Sequence, residues 1–421
     1  MNVWIVSAYD PVPGLDTDIR ILRYGSLALA LMQQGHNVMF WTSSFAHWRK
    51  SHRADGNTHR SIQSGFAVEY LQGRRYETNV SFARILHNRD LARAFKSRAL
   101  LRQDRPDVIV AEIPCLELAA AAAEFAKSAR TPLVCDIQDI WPDVYLSWLP
   151  RWSHPIARLF LRADYAKLRY ILEHSASVTA VSRAYLEWTR PYLSRPFTNR
   201  DAVFPLGYPA PSPSTLGEAK SNAPGFRAKL GIGPSDVVIT FLGQFATSYD
   251  VETIVSAARL LENQRDLPPF KIVLAGDGDK ARALRRAAEG LRTVIFTGWL
   301  NAQDAVALLQ TSHVALAAYA RLAAQSLPYK PFEYMAFSLP IINSLPGELR
   351  ELVITTEIGA NYEAGSAESL ASALIPFIRD SELRTAAGRR SHQLHQTKYD
   401  ANSVYSKMAG FVTSLPDSSF K

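Results

Sequence analysis

The feature that most restricts the fold is a recurring phrase: a short run of consecutive apolar residues, a loop carrying Gly or Pro, then an amphipathic stretch of helical length. Unbroken apolar runs of this kind suit strands buried on both faces, which belong to parallel sheets covered by helices. In the first half, residues 3–8 form such a run and end in Tyr9-Asp-Pro-Val-Pro-Gly14. The spacing of Ile19, Leu22, Leu29 and Met32 predicts a helix over 18–34, with Gly35 as its stop, and 38–42 is the next strand. Residues 107–111 and 133–136 are further strands with a helix between them. Helices are expected within 156–174, and 178–181 is the last strand before Ser182, a good helix cap.

Residues 202–214, Ala-Val-Phe-Pro-Leu-Gly-Tyr-Pro-Ala-Pro-Ser-Pro-Ser, break all periodicity and mark a domain boundary, as a chain of 421 residues requires. The phrase then resumes. Strand 237–242 ends in Gly243-Gln-Phe-Ala-Thr-Ser-Tyr-Asp250 and is followed by helix 251–261. Strand 270–275 ends in Gly276-Asp-Gly-Asp279, strand 293–296 precedes Gly298-Trp-Leu300, and 314–318 is a fourth strand. The expected architecture is α/β, with two doubly wound, Rossmann-like parallel-sheet domains facing each other across a cleft. The domains are 1–203 and 204–395, and 396–421 is a terminal helix that crosses back to the first domain. Loops at the carboxyl ends of parallel strands build ligand crevices. Gly14 allows close backbone approach in the first half, although a plain turn explains it too. Gly243, Gly276 and Gly278 do the same in the second. Gly276-x-Gly278 alone is a weak signal.

The most informative stretch is Gln325-Ser-Leu-Pro-Tyr-Lys-Pro-Phe-Glu-Tyr-Met-Ala336, followed by Phe337-Ser-Leu-Pro-Ile-Ile342. Pro331 pre-sets a helical φ and lacks an N–H that the first turn leaves unpaired, so a helix should open near Lys330 and stop before Pro340. Residues 341–342 read as a buried strand. A helix start attracts anions, and Lys330 adds a full positive charge beside it. Glu333, a turn inward, is acceptor-only and needs donors, such as the vicinal hydroxyls of a ribose. An ordinary αβ unit with a capping Glu fits the same residues.

A hydrophobic fraction of 47% with 20% charged residues describes a soluble globular protein. The formal charge of +8 suits anionic partners, but Lys and Arg are scattered and no nucleic-acid-binding motif accompanies them. Cys115 and Cys135 lie in apolar stretches without metal-ligand spacing and read as reduced core residues of a cytoplasmic protein. Met-Asn-Val-Trp-Ile-Val at the start reads as a strand, not a signal peptide. No apolar run reaches bilayer length, and the Ala-rich 116–126 reads as a buried helix. Residues 46–96, rich in Arg, His and Tyr, read as a long, partly helical insertion. Its basic pieces around 43–50 and 73–76 suit either an anionic headgroup or acceptor phosphate, or simply a solvated charged face. Asp136-Ile-Gln-Asp-Ile-Trp-Pro-Asp143 places Gln138, Asp139 and Trp141 at a strand's carboxyl end. Three acids and a Trp there suggest more than loop filler. Without a His it is a poor metal site, and acceptor binding outweighs acid–base work.

Taken in order, the opening Ile-Val-Ser-Ala-Tyr-Asp-Pro-Val-Pro-Gly14, Gly35-His-Asn-Val, Asp136 to Asp143, Phe204-Pro-Leu-Gly207, Gly243 to Asp250 with Val-Glu-Thr-Ile, and Leu327 to Ala336 are similar to motifs of one family. Together they resemble the retaining glycosyltransferases of family 4, of the two-domain GT-B fold, over nearly the whole chain, and especially the branch that builds bacterial surface polysaccharides. The resemblance implies that the first domain binds acceptor and the second the nucleotide-sugar donor. The family's two carboxylates, eight residues apart, fall on Gln325 and Glu333. The second is retained, and the resemblance gives it the ribose; the first, which addresses the donor sugar, is an uncharged amide here. The Arg and Lys that neutralise the donor diphosphate fall on Gln244 and Tyr249, which leaves Lys330 and the helix start as the sources of positive potential. The amino-terminal His falls on Gln138, with Asp139 retained after it.

The activity so implied is retaining, metal-independent sugar transfer from a nucleotide-diphosphate donor to a glycan or lipid-linked acceptor, with no cofactor. It would occur in the cytoplasm or peripherally on the inner face of the membrane. Lys330, Glu333 and Gln325 form the catalytic set. Gly243, Gln244, Tyr249, Gly276, Gly278, Trp299, Ser326 and Leu327 line the donor, and Gly14, Gln138 and Asp139 the acceptor. A sugar-nucleotide 2-epimerase of the same architecture, or a degenerate nucleotide-sugar-binding subunit, are the alternatives.

Overall fold

The structure, a computed structural model, describes residues 1–17 and 19–418. The chain forms two compact units. One is Met1–Pro205 joined by the segment from Ala401 onward, and the other is Leu206–Asp400.

The first unit is built on an eight-stranded sheet in the order Ala202–Val203, Ser177–Ala180, Leu133–Ile137, Val108–Ile113, Asn2–Val6, Asn37–Ser43, Phe66–Leu71, Thr58–Gln63. All neighbours are parallel except the last pair. The unbroken apolar runs follow from helices on both faces. Val3, Ile5, Val38 and Phe40 pack with Leu27 and Leu31 of helix Arg23–Gln33 and with Tyr405, Met408 and Val412 of the terminal helix Ala401–Ser418. Side chains alternate across a strand, so Trp4 and Trp41 point the other way. There they meet Phe95 of helix Phe82–Leu101 and Phe125 of helix Leu116–Ala129, with Trp4 stacked on Phe125 at 5.1 Å. Cys115 and Cys135 are free, buried thiols.

Two expectations change. The first helix begins at Arg23, because residues 11–16 are folded in turns: the Val12 N–H donates to Asp16 (2.8 Å) and the Tyr24 N–H to Asp10 (2.7 Å). Asp18, where the helix was expected to begin, lies outside the described residues. Residues 46–96 are partly helical, over 82–96, but their first part belongs to the sheet. They extend the sheet by an edge hairpin that turns at Gly65 (φ +77°), and only then form a helix. Several of their basic residues are paired within the unit. Arg53 pairs with Asp16, Arg74 with Asp90 (2.7 Å), and the Lys50 ammonium lies 4.7 Å from the centre of the Tyr76 ring.

The second unit holds six parallel strands ordered Val294–Gly298, Phe270–Ala275, Val237–Leu242, Val314–Ala317, Ile341–Asn343, Gly359–Asn361. Counted along the chain this is 3-2-1-4-5-6, the doubly wound dinucleotide-fold order. Helices Val251–Glu262 and Ala367–Arg379 cover one face. Pro213–Lys229 and Ala302–Thr311 cover the other, through Phe226, Ala307 and Leu308. The Pro213 helix was hidden in the sequence because only Ala219 and Phe226 of it are buried. Among the described residues, no helix is long and apolar enough to cross a membrane.

Candidate active site

In the second unit the strand order reverses between Val237–Leu242 and Val314–Ala317, and a sheet of this kind opens a crevice at the carboxyl ends of those two strands. The helix Tyr329–Ala336 enters there. The Tyr334 hydroxyl accepts from the Leu242 N–H (3.3 Å) and donates to the Leu316 carbonyl (3.4 Å), so it ties the helix to both strands. Phe332 stacks on Tyr399 at 4.3 Å. Pro331, Phe332, Tyr334, Met335 and Ala336 are buried, which leaves Lys330 and Glu333, one turn apart, as the partly exposed polar pair.

The Lys330 ammonium lies 4.6 Å from the centre of the Tyr249 ring and 5.7 Å from that of Phe241, within cation–π range of both. It occupies the position a Cβ on Gly243 would take. Lys330, Gly243 and Tyr249 are thus brought together, and Tyr249, where the family resemblance implied a cation, instead offers a ring face to one. Gln244 is exposed beside them.

The glycines after strand Phe270–Ala275 are packed against neighbouring backbone. A Cβ on Gly276 would run into the Gly243 carbonyl, and one on Gly278 would lie 2.8 Å from the Phe245 carbonyl oxygen. Three loops stack through Gly243 N–H to Ala275 O, Phe245 N–H to Asp277 O and Gly276 N–H to Gly298 O, each 2.8 Å. Gly276 and Gly278 are required first by this packing of loop on loop. Trp299, at the edge of the stack, is 65% exposed.

Glu333 has a partner that sequence reasoning missed. The Tyr208 hydroxyl donates to Glu333 Oε1 at 2.7 Å. Tyr208 is itself held by its N–H to Tyr399 O (2.9 Å) and by His395 Nε2 donating to its carbonyl (2.8 Å). The only signal was its place next to Phe204-Pro-Leu-Gly207. Gln325 is exposed on the loop leading into the helix, whereas the side chains of Ser326 and Leu327 are buried.

In the first unit the acidic cluster is largely structural, contrary to expectation. Asp136 is fully buried and takes both forks of Arg23 (2.7 and 2.8 Å), the Tyr24 hydroxyl (2.8 Å) and the Thr179 hydroxyl (2.6 Å). Burial alone would raise its pKa, but the Arg23 charge and these bonds hold it below the ordinary value. Asp143 accepts from the Tyr165 hydroxyl, the Trp188 indole (2.8 Å) and the Tyr192 hydroxyl (3.2 Å). Asp139 remains half-buried, and burial raises its pKa.

Gln138 reaches Glu112 (3.3 Å), a buried carboxylate that also accepts from Ser7 (2.7 Å) and the Ala8 N–H (3.0 Å) at the end of the first strand. Burial, then the nearby Asp10, pushes Glu112 up to about 8. Arg84 also went unnoticed in the sequence. It bonds the Tyr9 hydroxyl (3.3 Å) and lies 5.6 Å from the Trp141 ring, bridging the loops after strands Asn2–Val6 and Leu133–Ile137. Gly14 stands apart in the turn after Val12 (φ +79°), where a methyl would meet only Ile62, 3.8 Å away.

Residues 23–207 match the family model of the glycosyl transferase 4-like domain, and residues 223–394 that of glycosyl transferases group 1. The chain is a GT-B glycosyltransferase of the family 4 type. Each matched stretch covers most of one compact unit. This glycosyltransferase is similar in fold to sucrose-phosphate synthase from Thermosynechococcus elongatus (TM-score 0.72, 17% identity, 99% of this chain and 100% of that one). It is also similar to Anabaena HepE in complex with UDP (0.68, 15%, 98% and 100%) and to WaaG, a glycosyltransferase involved in lipopolysaccharide biosynthesis (0.65, 17%, 98% and 100%). No curated protein sequence matches it.

Proposed function

We propose that this glycosyltransferase moves a sugar from a nucleotide-diphosphate donor to a glycan or lipid-linked acceptor during surface-polysaccharide synthesis, with retention and without a metal ion. The observation that carries the reading is the Lys330 ammonium at the switch point of the second sheet, seated against Gly243 and Tyr249, with Glu333 one turn along and oriented by Tyr208. A cation at a helix start suits a diphosphate, and a fixed carboxylate suits the two hydroxyls of a ribose. The similar folds bound to UDP and UDP-glucose in HepE support a nucleotide-sugar donor.

In this reading the bond from the anomeric carbon to the β-phosphate oxygen breaks, and the nucleotide diphosphate leaves with the electron pair. Lys330 and the helix N–H groups meet the growing charge, as preorganised dipoles and charges do most effectively. The acceptor hydroxyl oxygen bonds to the same face of the anomeric carbon and passes its proton to the departing phosphate. Gln325 addresses sugar hydroxyls, Trp299 flanks the base, and Gln138 and Asp139 address the acceptor. The protein works in the cytoplasm or at the inner membrane face.

Donor hydrolysis and transfer by Lys330→Ala and Glu333→Ala test the site: both variants should lose most turnover, and wild-type turnover in both removes it. A thermal-shift panel of UDP-, GDP- and dTDP-sugars identifies the base, since a ligand bound only by the folded state stabilises it by mass action.

A further inference from the structure

From Ser147 to Asp164 no residue is buried, although this stretch carries some of the largest apolar side chains in the protein. Trp152 is 78% exposed and Phe160 82%. In helix His154–Phe160, Ile156, Leu159 and Phe160 stand at i, i+3 and i+4, so they form one apolar stripe, and none of it packs on the sheet. At the start of helix Phe82–Leu101, Phe82 is 70% exposed. Phe82 and Phe160 border the same cavity of about 560 Å³, whose lining also carries Arg84, Arg89, Glu117 and Lys167, so the two exposed apolar stretches flank one mixed groove on the same side of the unit. Scattered exposed apolar residues are ordinary, but six large ones within residues 148–160 mark a surface that something covers.

The charge on the face identifies the cover. Between Asp143 and Asp164 there is no acidic residue, while Arg151, Arg158 and Arg162 are present, and none of the three has an ion-pair partner among the described residues. Two tryptophans, arginines and a short apolar stripe are the composition of a segment lying in the plane of a bilayer surface, with rings at headgroup depth and cations on lipid phosphates. A second copy of the chain fits poorly, because a two-fold contact sets this arginine-bearing patch against an identical one of the same sign.

We propose that the first unit docks on an anionic phospholipid surface through residues 148–160 and the Phe82 end of the neighbouring helix. The proposal deepens the reading of a lipid-linked acceptor and rests on it for its purpose. The cavity under Phe160 also reaches Trp141, next to Asp139, so the face adjoins the loop assigned to the acceptor.

The test is co-sedimentation of the full chain with vesicles of phosphatidylcholine alone and of phosphatidylcholine with phosphatidylglycerol. Binding should be at least tenfold tighter to the anionic vesicles and should weaken as salt is raised. Trp152→Glu with Phe160→Glu should abolish it, and Arg158→Ala with Arg162→Ala should reduce it severalfold. All four side chains are exposed, so thermal midpoints should stay at the wild-type value, and donor hydrolysis in solution should be unchanged. Folded wild-type protein that ignores anionic vesicles at low salt overturns the proposal, as do variants that bind undiminished. A dimer in light scattering that Phe160→Glu dissolves assigns the face to a second copy and overturns it as well. Loss of hydrolysis in Lys330→Ala is a separate readout, so the donor reading and the docking face can fail independently.

Discussion

Replacing Gly243 by Ala tests the central contact of the donor site without altering any charged group. The added Cβ would stand on the Lys330 ammonium and 2.8 Å from its Cε, with Phe241 next nearest at 3.8 Å. Two costs follow, and they fall on different observables. The backbone at φ +151° disfavours an L side chain, which costs about 1–3 kcal/mol of stability. The clash itself costs folding little, because the end of a flexible lysine can swing away. That swing of more than about 1 Å moves the charge meeting the leaving group, and displacement on that scale lowers rate by about 10²-fold. Gly243→Ala should therefore unfold only slightly earlier in urea while losing about two orders of magnitude in donor turnover. If the loss acts through Lys330, the Gly243→Ala/Lys330→Ala double variant should be no slower than Lys330→Ala alone, a coupling of about 2.7 kcal/mol. Rate losses that multiply in the double variant, or a folded Gly243→Ala enzyme at wild-type speed, would refute the reasoning.

Two other perturbations address the supports around the sites. Tyr208→Phe removes one hydrogen bond to a carboxylate, worth about 1.5–3 kcal/mol, so the donor KM should rise about tenfold or more with kcat changed less. An unchanged KM in steady-state kinetics would mean that Glu333 does not hold the donor. Glu112 has a folded pKa near 8 against an ordinary value of 4.5, so the folded state binds this proton more tightly than the unfolded chain. The stability it contributes is complete below about pH 4.5 and is lost as pH rises through 8. Glu112→Gln should flatten the fall in the urea midpoint between pH 5 and pH 8, by an amount on the order of a few kcal/mol. Equal slopes in variant and wild type would contradict the shift.

Local chemistry alone was enough to read most strands and the start of the site helix. Strands 237–242 and 270–275 were legible to the residue because apolar runs between glycine loops need no distant information. The Tyr329 helix was legible because Pro331 acts on its own backbone. What stayed hidden depends on partners far apart in the chain. Tyr208 meets Glu333 across 125 residues, and Arg23 meets Asp136 across 113, which turned an apparent acidic site into a buried clamp. Gly276 looked like room for a nucleotide, but its neighbour is the backbone of Gly243. The apolar stripe at 156–160 has the pattern of a helix face that packs inward, and pattern cannot tell inward from outward. Only the three-dimensional arrangement decides which apolar faces find a partner and which side chains converge, because packing free energy comes from contacts between segments that sequence order does not bring together.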